Sequence, residues 1–467
     1  MKISIKAIIS LILVTIILLC TACTGNGNET TAPEATTEPT VTTEPAETKD
    51  DSLLYLVTDA DTDCKIIRGT YSSETETNAA TSIYSALKDK YEGILDKKIY
   101  TDDWIKGIGK NDIYEGDELE IVVGYTNRKE SRDVHAELSV NEYAIRVVGN
   151  KVIIIGYDEF TTSSAADEFV KKYVSTADGS AFTVPKDLNV KGKAELRQVA
   201  INSESSYRLM TWNLGGGVGV EKDIITVLFR YFPDILCLQE ANKAVHQDVV
   251  ARLPEYMAYA TKFHSNGSTY VYTPILYNSN LFTLIDSGVE WLDGRYPYTN
   301  TKSVAWAVLK DKKGESFVVI NFHGAVCSAD YKGYESMTSA ERNQVALNWR
   351  IDNVRQIIEI KDRILKKHGE LPVMVMGDCN FNQDSVPYAN MTKAGFVTAE
   401  KTARLGKVTG YATYFSYGTS IKTGKSIDHI FQLGGIDFVS HMIVRDKLVE
   451  TASDHCPVYT DFNITKK

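Results

Sequence analysis

The fold of this 467-residue chain follows from the stretch Met374-Val375-Met376-Gly377-Asp378-Cys379-Asn380-Phe381-Asn382. The apolar residues at 371–376 predict a buried strand, and a glycine, an acid and an amide come directly after it. Because side chains alternate along extended chain, Asp378 and Asn380 share one face at this strand end, where open α/β sheets place their chemistry. Alone, the pattern is equally typical of a turn with two solvated polar residues.

Other predicted strands end in similar polar residues. Short apolar strands are predicted at 208–212, 235–238, 271–277, 316–322, 371–376, 426–431 and 456–462, with helices at 222–231 and from 339 to about 367. The second helix begins with the capping-box pair Thr338 and Glu341. The polar residues at or near the strand ends are, in order, Asn213, Glu240, His323, Asp378 with Asn380, Asp428, and Asp454 with His455. More strands than helices suit two sheets packed face to face with helices outside.

In order, spacing and flanking residues, these strand ends resemble the endonuclease/exonuclease/phosphatase superfamily of metal-dependent phosphoesterases. The resemblance covers residues 207–463. It implies a four-layer α/β sandwich, in which two packed mixed sheets carry outer helices. A small α/β domain would precede this sandwich, because strands and helices also alternate between residues 53 and 193.

The resemblance assigns metal binding to Glu240, with Asn213 and Asp454 beside it. Hard oxygen ligands without clustered thiols favour Mg²⁺ or Mn²⁺. A surface salt bridge is the other interpretation of a lone glutamate at a strand end.

His455 is the predicted general base, and Asp428 would fix its tautomer. The family pattern implies that Asp378 and Asn380 position the attacking water and bind the phosphate. His323 would donate to a phosphate oxygen or assist the leaving group, unless it is an ordinary core histidine. His429 follows Asp428 directly, so in a strand it should face the other way.

The predicted activity is phosphodiester hydrolysis, with nucleic acid as the first substrate class because it is the broadest in the superfamily. Sphingomyelin and inositol phosphates are alternatives, and a non-catalytic surface binding module is the alternative of another class. Residues 261–280 contain no acid to pair with His323, which disfavours a double-strand deoxyribonuclease of the pancreatic type. Aromatic residues and two cations between Trp291 and Trp306 suit stacked bases or plain packing.

The glycine-rich run at 215–219 follows a predicted strand and precedes a predicted helix. It lacks the Lys-Ser/Thr pair of a phosphate-binding P-loop and the spacing of a dinucleotide-binding loop. We therefore expect these glycines to let the backbone pass close to the metal site.

The N-terminus predicts export. Lys2 and Lys6 precede an apolar run at 7–19 that ends in Cys20-Thr21-Ala22-Cys23, which resembles a bacterial lipoprotein signal with Cys23 as the lipidated residue. We divide the chain into a signal peptide at 1–22, a Thr/Glu/Pro tether at 23–51, an accessory α/β domain at 52–195 and a catalytic domain at 196–467. We expect a monomer held at the cell envelope by its lipid alone, or else simple secretion.

The net charge and the cysteine positions argue against a strongly basic nucleic-acid-binding protein, a disulfide-rich protein and a zinc protein. The formal net charge is −10, and residues 24–51 contain seven acids and one lysine, so the folded remainder is mildly acidic and has no strong basic field for nucleic acid. Five cysteines follow Cys23 at scattered positions. Their odd number argues against a disulfide scaffold, and the absence of a C-x-x-C pair argues against a zinc site.

Changing Cys23→Ala tests the anchor. In a bacterial host grown with radiolabelled palmitate, we expect the wild type to carry label and to sediment with membranes. The variant should do neither, because no thiol remains to be acylated, whereas Cys20→Ala should keep the label. Label on Cys23→Ala would contradict the predicted lipidation site.

Overall fold

The structure is a computed structural model that describes residues 49–58, 64–91, 98–105, 112–217, 219–242, 245–261, 272–292 and 303–465. The chain divides after Asp50, and its second unit, which begins at Asp51, is compact. The predicted signal peptide, Cys23 and nearly all of the tether lie outside the described residues. The predicted boundary at 195/196 falls within the second unit, and it stays a prediction.

The N-terminal part of the second unit contains a parallel core. Its strands are β1 (Leu53–Val57), β2 (Lys65–Arg68), β3 (Tyr100–Thr101), β4 (Glu120–Val123), β5 (Glu142–Val148), β6 (Lys151–Gly156), β7 (Phe182–Pro185) and β8 (Asn189–Lys193). Its helices are α1 (Glu74–Lys90), α2 (Lys129–Ala136) and α3 (Glu159–Phe169), and a π-helical turn, Val170–Val174, follows α3. One sheet has the order β3-β2-β4-β6-β5-β8, and β1 pairs with β7. Because β2, β4 and β6 are parallel, their carboxyl ends meet at one edge of the sheet.

The C-terminal part holds the remaining elements. Its strands are β9 (Tyr207–Asn213), β10 (Ile235–Gln239), β11 (Met257–Tyr259), β12 (Ile275–Asn278), β13 (Phe282–Trp291), β14 (Ser303–Asp311), β15 (Ser316–Phe322), β16 (Val373–Asp378), β17 (Val397–Thr398), β18 (Lys407–Val408), β19 (Asp428–Leu433), β20 (Ile436–Phe438), β21 (His441–Ile443) and β22 (Val458–Ile464). Its helices are α4 (Glu221–Arg230), α5 (Ser339–His368), α6 (Val386–Lys393), α7 (Ala399–Thr402) and α8 (Val449–Ala452).

Two mixed sheets pack together, as the sandwich prediction requires. One has the order β11-β12-β10-β9-β22-β21-β18, with β20 also paired to β22, and the other has the order β13-β14-β15-β16-β19-β17. In β16, Met374 and Met376 join the core between the sheets, whereas Val373 and Val375 pack under α5 and α6. This alternation places helices outside the second sheet, and Ile224 and Leu228 of α4 pack on the first sheet. The four-layer α/β sandwich is confirmed.

Local capping explains most boundary differences. The capping box of Thr338 and Glu341 starts α5 as predicted. The Ser73 hydroxyl accepts a hydrogen bond from the amide of Glu76, so α1 begins at Glu74. Strand β16 begins at Val373 because Pro372 has no N–H for a strand ladder, and it continues through Asp378 because that residue pairs with Asp428.

Two long strands were not predicted. The sequence prediction omitted β13 and β14, which form a hairpin-like pair at one edge of the second sheet. The predicted strand at 271–277 is observed only as Ile275–Asn278, and Val271 lies outside the described residues. Among the described residues, Cys64, Cys237, Cys327, Cys379 and Cys456 form no disulfide bond.

No helix within the described ranges is long and apolar enough to cross a membrane.

Gly377 allows β15 and β16 to approach each other closely at the site. Its φ angle is 141°, and a Cβ atom there would lie 1.9 Å from the carbonyl oxygen of Phe322. Two residues after Phe322, a Cβ atom at Gly324 would lie 2.2 Å from the carbonyl oxygen of Cys379. Glycine is therefore required for the two strand ends to meet.

The variant Gly377→Ala should lose about 3 kcal/mol or more of unfolding free energy, because backbone atoms must move to admit the methyl group. Gly333→Ala is the matched control, since Gly333 has a φ angle of 90° and a Cβ atom added there would have no neighbour within 4 Å. It should lose roughly 1–2 kcal/mol from backbone strain alone. Denaturant titration measures both, and equal losses would contradict the steric role of Gly377.

Candidate active site

Asp378 lies at the centre of the cluster that the sequence predicts. Its Oδ2 atom accepts a hydrogen bond from Asn213 Nδ2 at 3.0 Å and lies 3.4 Å from His323 Nε2. The same oxygen is 3.8 Å from His455 Nε2. Residues from β9, from β16 and from the segments after β15 and before β22 therefore converge on one buried carboxylate.

Two residues of the cluster have left-handed backbone. Glu240 has a φ angle of 53° directly after β10, and Asn380 has a φ angle of 54° two residues after β16. Non-glycine residues in this region are uncommon and concentrate at functional sites. The turn at Asn380 lets its Nδ2 donate to Asp378 Oδ2 at 3.2 Å and to the carbonyl of Gly324 at 3.1 Å. The local strain therefore aims both side chains at the site.

His455 and Asp428 form the predicted pair. His455 Nδ1 donates to Asp428 Oδ2 at 3.0 Å, which leaves Nε2 facing Asp378. Thr413 Oγ1 accepts hydrogen bonds from the backbone amides of Ile427 and Asp428 and so fixes the start of β19. The carboxylate thus sets the histidine tautomer that a general base needs.

The electrostatics around His455 favour its charged form. Burial lowers its pKa, but the charges of Asp428 and Asp378 outweigh that effect and raise the pKa to about 10. Four carboxylates surround two histidines here, namely Glu240, Asp378, Asp428 and Asp454. The site therefore has an excess of negative charge that a divalent cation would balance.

Glu240, Asn213 and Asp454 fit a cation on independent grounds. Asp454 Oδ1 is buried and has no hydrogen-bond partner in the described residues, and burial, with the charges of Glu240 and Asp378, raises the pKa of this carboxyl. Asn213 Nδ2 donates to Glu240 Oε1 at 3.2 Å, so these two side chains are already in contact. Asn213 Oδ1 accepts from the amide of Gly215, and a half-turn of this side-chain amide would present the oxygen to the carboxylates.

The glycine run lies beside Glu240, as the sequence predicted. A Cβ atom at Gly216 would be 3.7 Å from Glu240 Oε2, and one at Gly219 would be 1.8 Å from the carbonyl oxygen of Ala452. Glycine allows this backbone to pass between the candidate metal ligands and α8.

A second group of possible metal ligands includes His455, the candidate general base. Atoms of Asp378, Asp428 and His455 all lie within 4.8 Å of one another. In this group, however, His455 Nδ1 and Asp428 Oδ2 are already joined by a hydrogen bond, which a shared cation would break. This group is therefore better suited to proton transfer than to holding a cation.

The two other histidines named from the sequence, His323 and His429, lie in different surroundings. His323 is buried directly after β15, and its Nε2 lies 3.9 Å from Glu240 Oε1 as well as 3.4 Å from Asp378, so acids outside residues 261–280 approach it. His429 faces the other way, and its Nε2 donates to the carbonyl of Phe381 at 2.9 Å. Burial lowers the pKa of His429 to about 4.

Sequence reasoning missed the amide contact that joins the two sheets beneath the site. Gln239 at the end of β10 donates through Nε2 to Asn321 Oδ1 at 2.7 Å, and Asn321 Nδ2 donates to the carbonyl of Leu238 at 2.8 Å. Ser453 was missed as well: its hydroxyl donates to the carbonyl of Asn213 at 2.7 Å and accepts from the amide of His455. Polar residues inside otherwise apolar strands were the available signal for Gln239 and Asn321.

Some predicted features fall outside the described residues. Arg295, Tyr296, Tyr298 and Lys302, which the sequence suggested as a stacking surface, are among them.

Comparison with known proteins gives one family. A profile of the Endonuclease/Exonuclease/phosphatase family matches residues 210–455, which include all the strand-end residues above. The chain belongs to the endonuclease/exonuclease/phosphatase family. Members of this family are hydrolases that act on phosphoester bonds and are generally dependent on divalent metal ions.

Solved structures of endonuclease/exonuclease/phosphatase proteins are among the matches. An endonuclease/exonuclease/phosphatase family protein from Bacteroides thetaiotaomicron is 20% identical, with a TM-score of 0.44 over 55% of this chain and 96% of that one. A mannosyl-6-phosphatase from the same species is 18% identical, with a TM-score of 0.44 over 56% and 100% of the two chains. The human Nocturnin catalytic domain with bound sulfate is 18% identical, with a TM-score of 0.41 over 58% and 100%. No curated protein matches this sequence.

Calorimetric titration with Mn²⁺ tests the assignment of ligands without measuring activity. Glu240→Gln and Asp454→Asn should each weaken Mn²⁺ binding at least tenfold, because each removes a charged oxygen ligand. Asp428→Asn should change the affinity much less.

Glu359→Gln is the matched control, because Glu359 pairs with Arg355 on the exposed face of α5. It should bind Mn²⁺ as the wild type does. Loss of binding in Asp428→Asn with retention in Glu240→Gln would place the cation in the other group.

Proposed function

We propose that this protein hydrolyses phosphodiester bonds by direct attack of water, with a divalent cation, Mg²⁺ or Mn²⁺, held by Glu240, Asp454 and Asn213. The observation that carries the proposal is the convergence of the His455–Asp428 pair, at 3.0 Å, on the buried carboxylate of Asp378. When bound, the cation would supply positive charge for the anionic substrate and the developing charge on the leaving oxygen.

The remaining steps belong to side chains of the chain itself. In its neutral form, which is favoured once a cation offsets the carboxylate charges that raise its pKa, His455 would take a proton from the attacking water through Nε2. Asp428 would hold Nδ1–H and stabilise the imidazolium that forms. Asp378 and Asn380, joined at 3.2 Å, would orient the water and contact the phosphate. His323, whose Nε2 faces the same carboxylates, would donate to a phosphate oxygen or to the leaving oxygen.

In this reaction a bond forms between the water oxygen and phosphorus, and the bond between phosphorus and the leaving oxygen breaks. The proton from water goes to His455, and the leaving oxygen takes a proton from His323 or from the charged His455. The same chemistry serves the predicted nucleic acid, sphingomyelin and inositol phosphates.

The polar groups of this site are pre-arranged for hydrolysis, which favours an enzyme over the binding-module alternative. Asn213, Asn380 and His323 all direct donors to one carboxylate inside a closed pair of sheets. We further propose that the protein works at the cell envelope, held there by lipid on Cys23, as a monomer.

Hydrolysis of bis-p-nitrophenyl phosphate tests the chemistry. The wild type should release p-nitrophenol in the presence of Mg²⁺, and this release should cease when EDTA is added. His455→Ala should lose about 10²–10⁴-fold in kcat/KM, because a positioned base contributes that much. Asp428→Asn should lose activity too, since the amide no longer holds the required tautomer.

His368→Ala is the control, because His368 pairs with Asp286 at the end of α5, away from the site residues. It should keep full activity. Activity that ignores both EDTA and His455→Ala would refute the mechanism, and no hydrolysis of any phosphoester, by folded protein with either metal, would favour the binding module.

A further inference from the structure

The pair of His455 and Asp428 joins the two sheets of the sandwich. Asp428 begins β19 in the second sheet, whereas His455 lies three residues before β22 in the first sheet. Apolar side chains pack between these sheets, and such contacts are not directional. A hydrogen bond of 3.0 Å across this boundary therefore depends on how precisely the two backbones are held.

A short stretch of the loop between β18 and β19 pairs with the backbone on both sides of His455. The amide of Cys456 donates to the carbonyl of Thr413 at 2.8 Å. The amide of Phe415 donates to the carbonyl of Asp454 at 2.9 Å. The backbone just before and just after His455 is therefore attached to this loop.

The side chain of Thr413 holds the other partner. Its Oγ1 atom accepts hydrogen bonds from the amides of Ile427 and Asp428 at 3.0 and 3.1 Å. Ser426 Oγ donates to the carbonyl of Asp428 at 2.7 Å and lies 3.4 Å from Thr413 Oγ1. Thr413 is fully buried, so bulk solvent does not replace these bonds. One residue thus bonds through its carbonyl to the segment of His455 and through its hydroxyl to the start of β19.

Other contacts attach each partner to its own sheet. Asp428 pairs with Asp378 in the ladder of β16 and β19. The amide of His455 donates to Ser453 Oγ at 3.1 Å, and the Ser453 hydroxyl donates to the carbonyl of Asn213 on β9 at 2.7 Å. Such contacts do not fix one partner relative to the other, as bonds from one residue to both segments do.

The hydroxyl oxygen is the part of Thr413 that valine lacks. Without it, the amides of Ile427 and Asp428 lose their acceptor at the start of β19. A buried amide without a partner is costly, so this backbone would move toward another acceptor and carry the Asp428 carboxylate with it. Serine retains the oxygen and should keep both bonds.

We infer that Thr413 is a positioning residue, which sets the distance and angle between the Asp428 carboxylate and His455 Nδ1. It acts through Asp428 and takes no part in making or breaking bonds. The inference rests on the proposed function, in which His455 is the general base, and adds a residue to which that function assigns no role.

The kinetics of bis-p-nitrophenyl phosphate hydrolysis with Mg²⁺ test the role of Thr413. Thr413→Val should lower kcat about 10–100-fold, because a displacement of about 1 Å near the reacting atoms costs that much. Its KM should change less than about twofold, because the lost interaction acts on the reacting water rather than on substrate binding. Thr413→Ser should restore kcat to near the wild-type value.

Thr460→Val is the matched control, because Thr460 is also fully buried and its hydroxyl donates to the carbonyl of Ser440 at 2.6 Å, within β22. It should keep the wild-type kcat even where it lowers the melting temperature. Thermal denaturation shows whether each variant is folded. Should Thr413→Val not fold, Ser426→Ala gives the same test, because the Ser426 hydroxyl holds the carbonyl of Asp428. In that variant kcat should fall several-fold while KM stays unchanged.

Crystal structures of the variants separate this inference from the proposed function. In Thr413→Val the distance between His455 Nδ1 and Asp428 Oδ2 should exceed the hydrogen-bond range, whereas in Thr413→Ser it should stay near 3.0 Å. An unchanged distance or an unchanged kcat in folded Thr413→Val would overturn the inference, as would an equal loss of kcat in Thr413→Ser or Thr460→Val. If the wild type hydrolyses no phosphoester, the proposed function fails, and the distance in these crystals then decides whether Thr413 positions the pair.

Discussion

Two buried carboxylates that face each other across adjacent strands determine the rest of the site. Asp378 and Asp428 are direct partners in the antiparallel pair of β16 and β19, and each is almost wholly buried. Like charges at such a position repel each other and raise the cost of burial. Hydrogen-bond donors offset this repulsion: His455 donates to Asp428, and Asn213 and Asn380 donate to Asp378. Polar strand ends from both sheets must therefore meet at this point.

That requirement explains the close backbone packing nearby. Gly377 and Gly324 remove the side chains that would keep β15, β16 and the following turn apart, and Gly216 adopts left-handed backbone, with a φ angle of 66°, beside Glu240. The amides of Gln239 and Asn321 then tie the two sheets together just below the carboxylates. The buried charges, the glycine positions and the pairing of the strands therefore depend on one another at this site.

Much of this arrangement could be predicted from the sequence. The apolar runs at 316–322 and 371–376 predicted β15 and β16, and the capping-box pair Thr338 and Glu341 predicted the start of α5. These signals are local, so the sequence displays them directly.

Long-range partners could not be predicted in that way. The sequence around Asp428 does not show that Thr413 holds the backbone of Asp428 in place. Likewise, the positions of the acids along the sequence do not show that Asp378 is the carboxylate beside His323. The strands β13 and β14 were missed although β14 is rich in apolar residues, because strand formation depends on partners that local sequence does not show: β13 pairs with β14, and β14 pairs with β15.

Anomalous diffraction from crystals grown with Mn²⁺ tests the central assignment most directly. If Glu240 and Asp454 hold the cation while Asp428 and His455 transfer the proton, the manganese peak lies between the Glu240 carboxylate and Asp454 Oδ1. The hydrogen bond between His455 Nδ1 and Asp428 Oδ2 then stays in place. A manganese peak bonded instead to Asp378, Asp428 and His455, with that hydrogen bond broken, would contradict the assignment of His455 as the base.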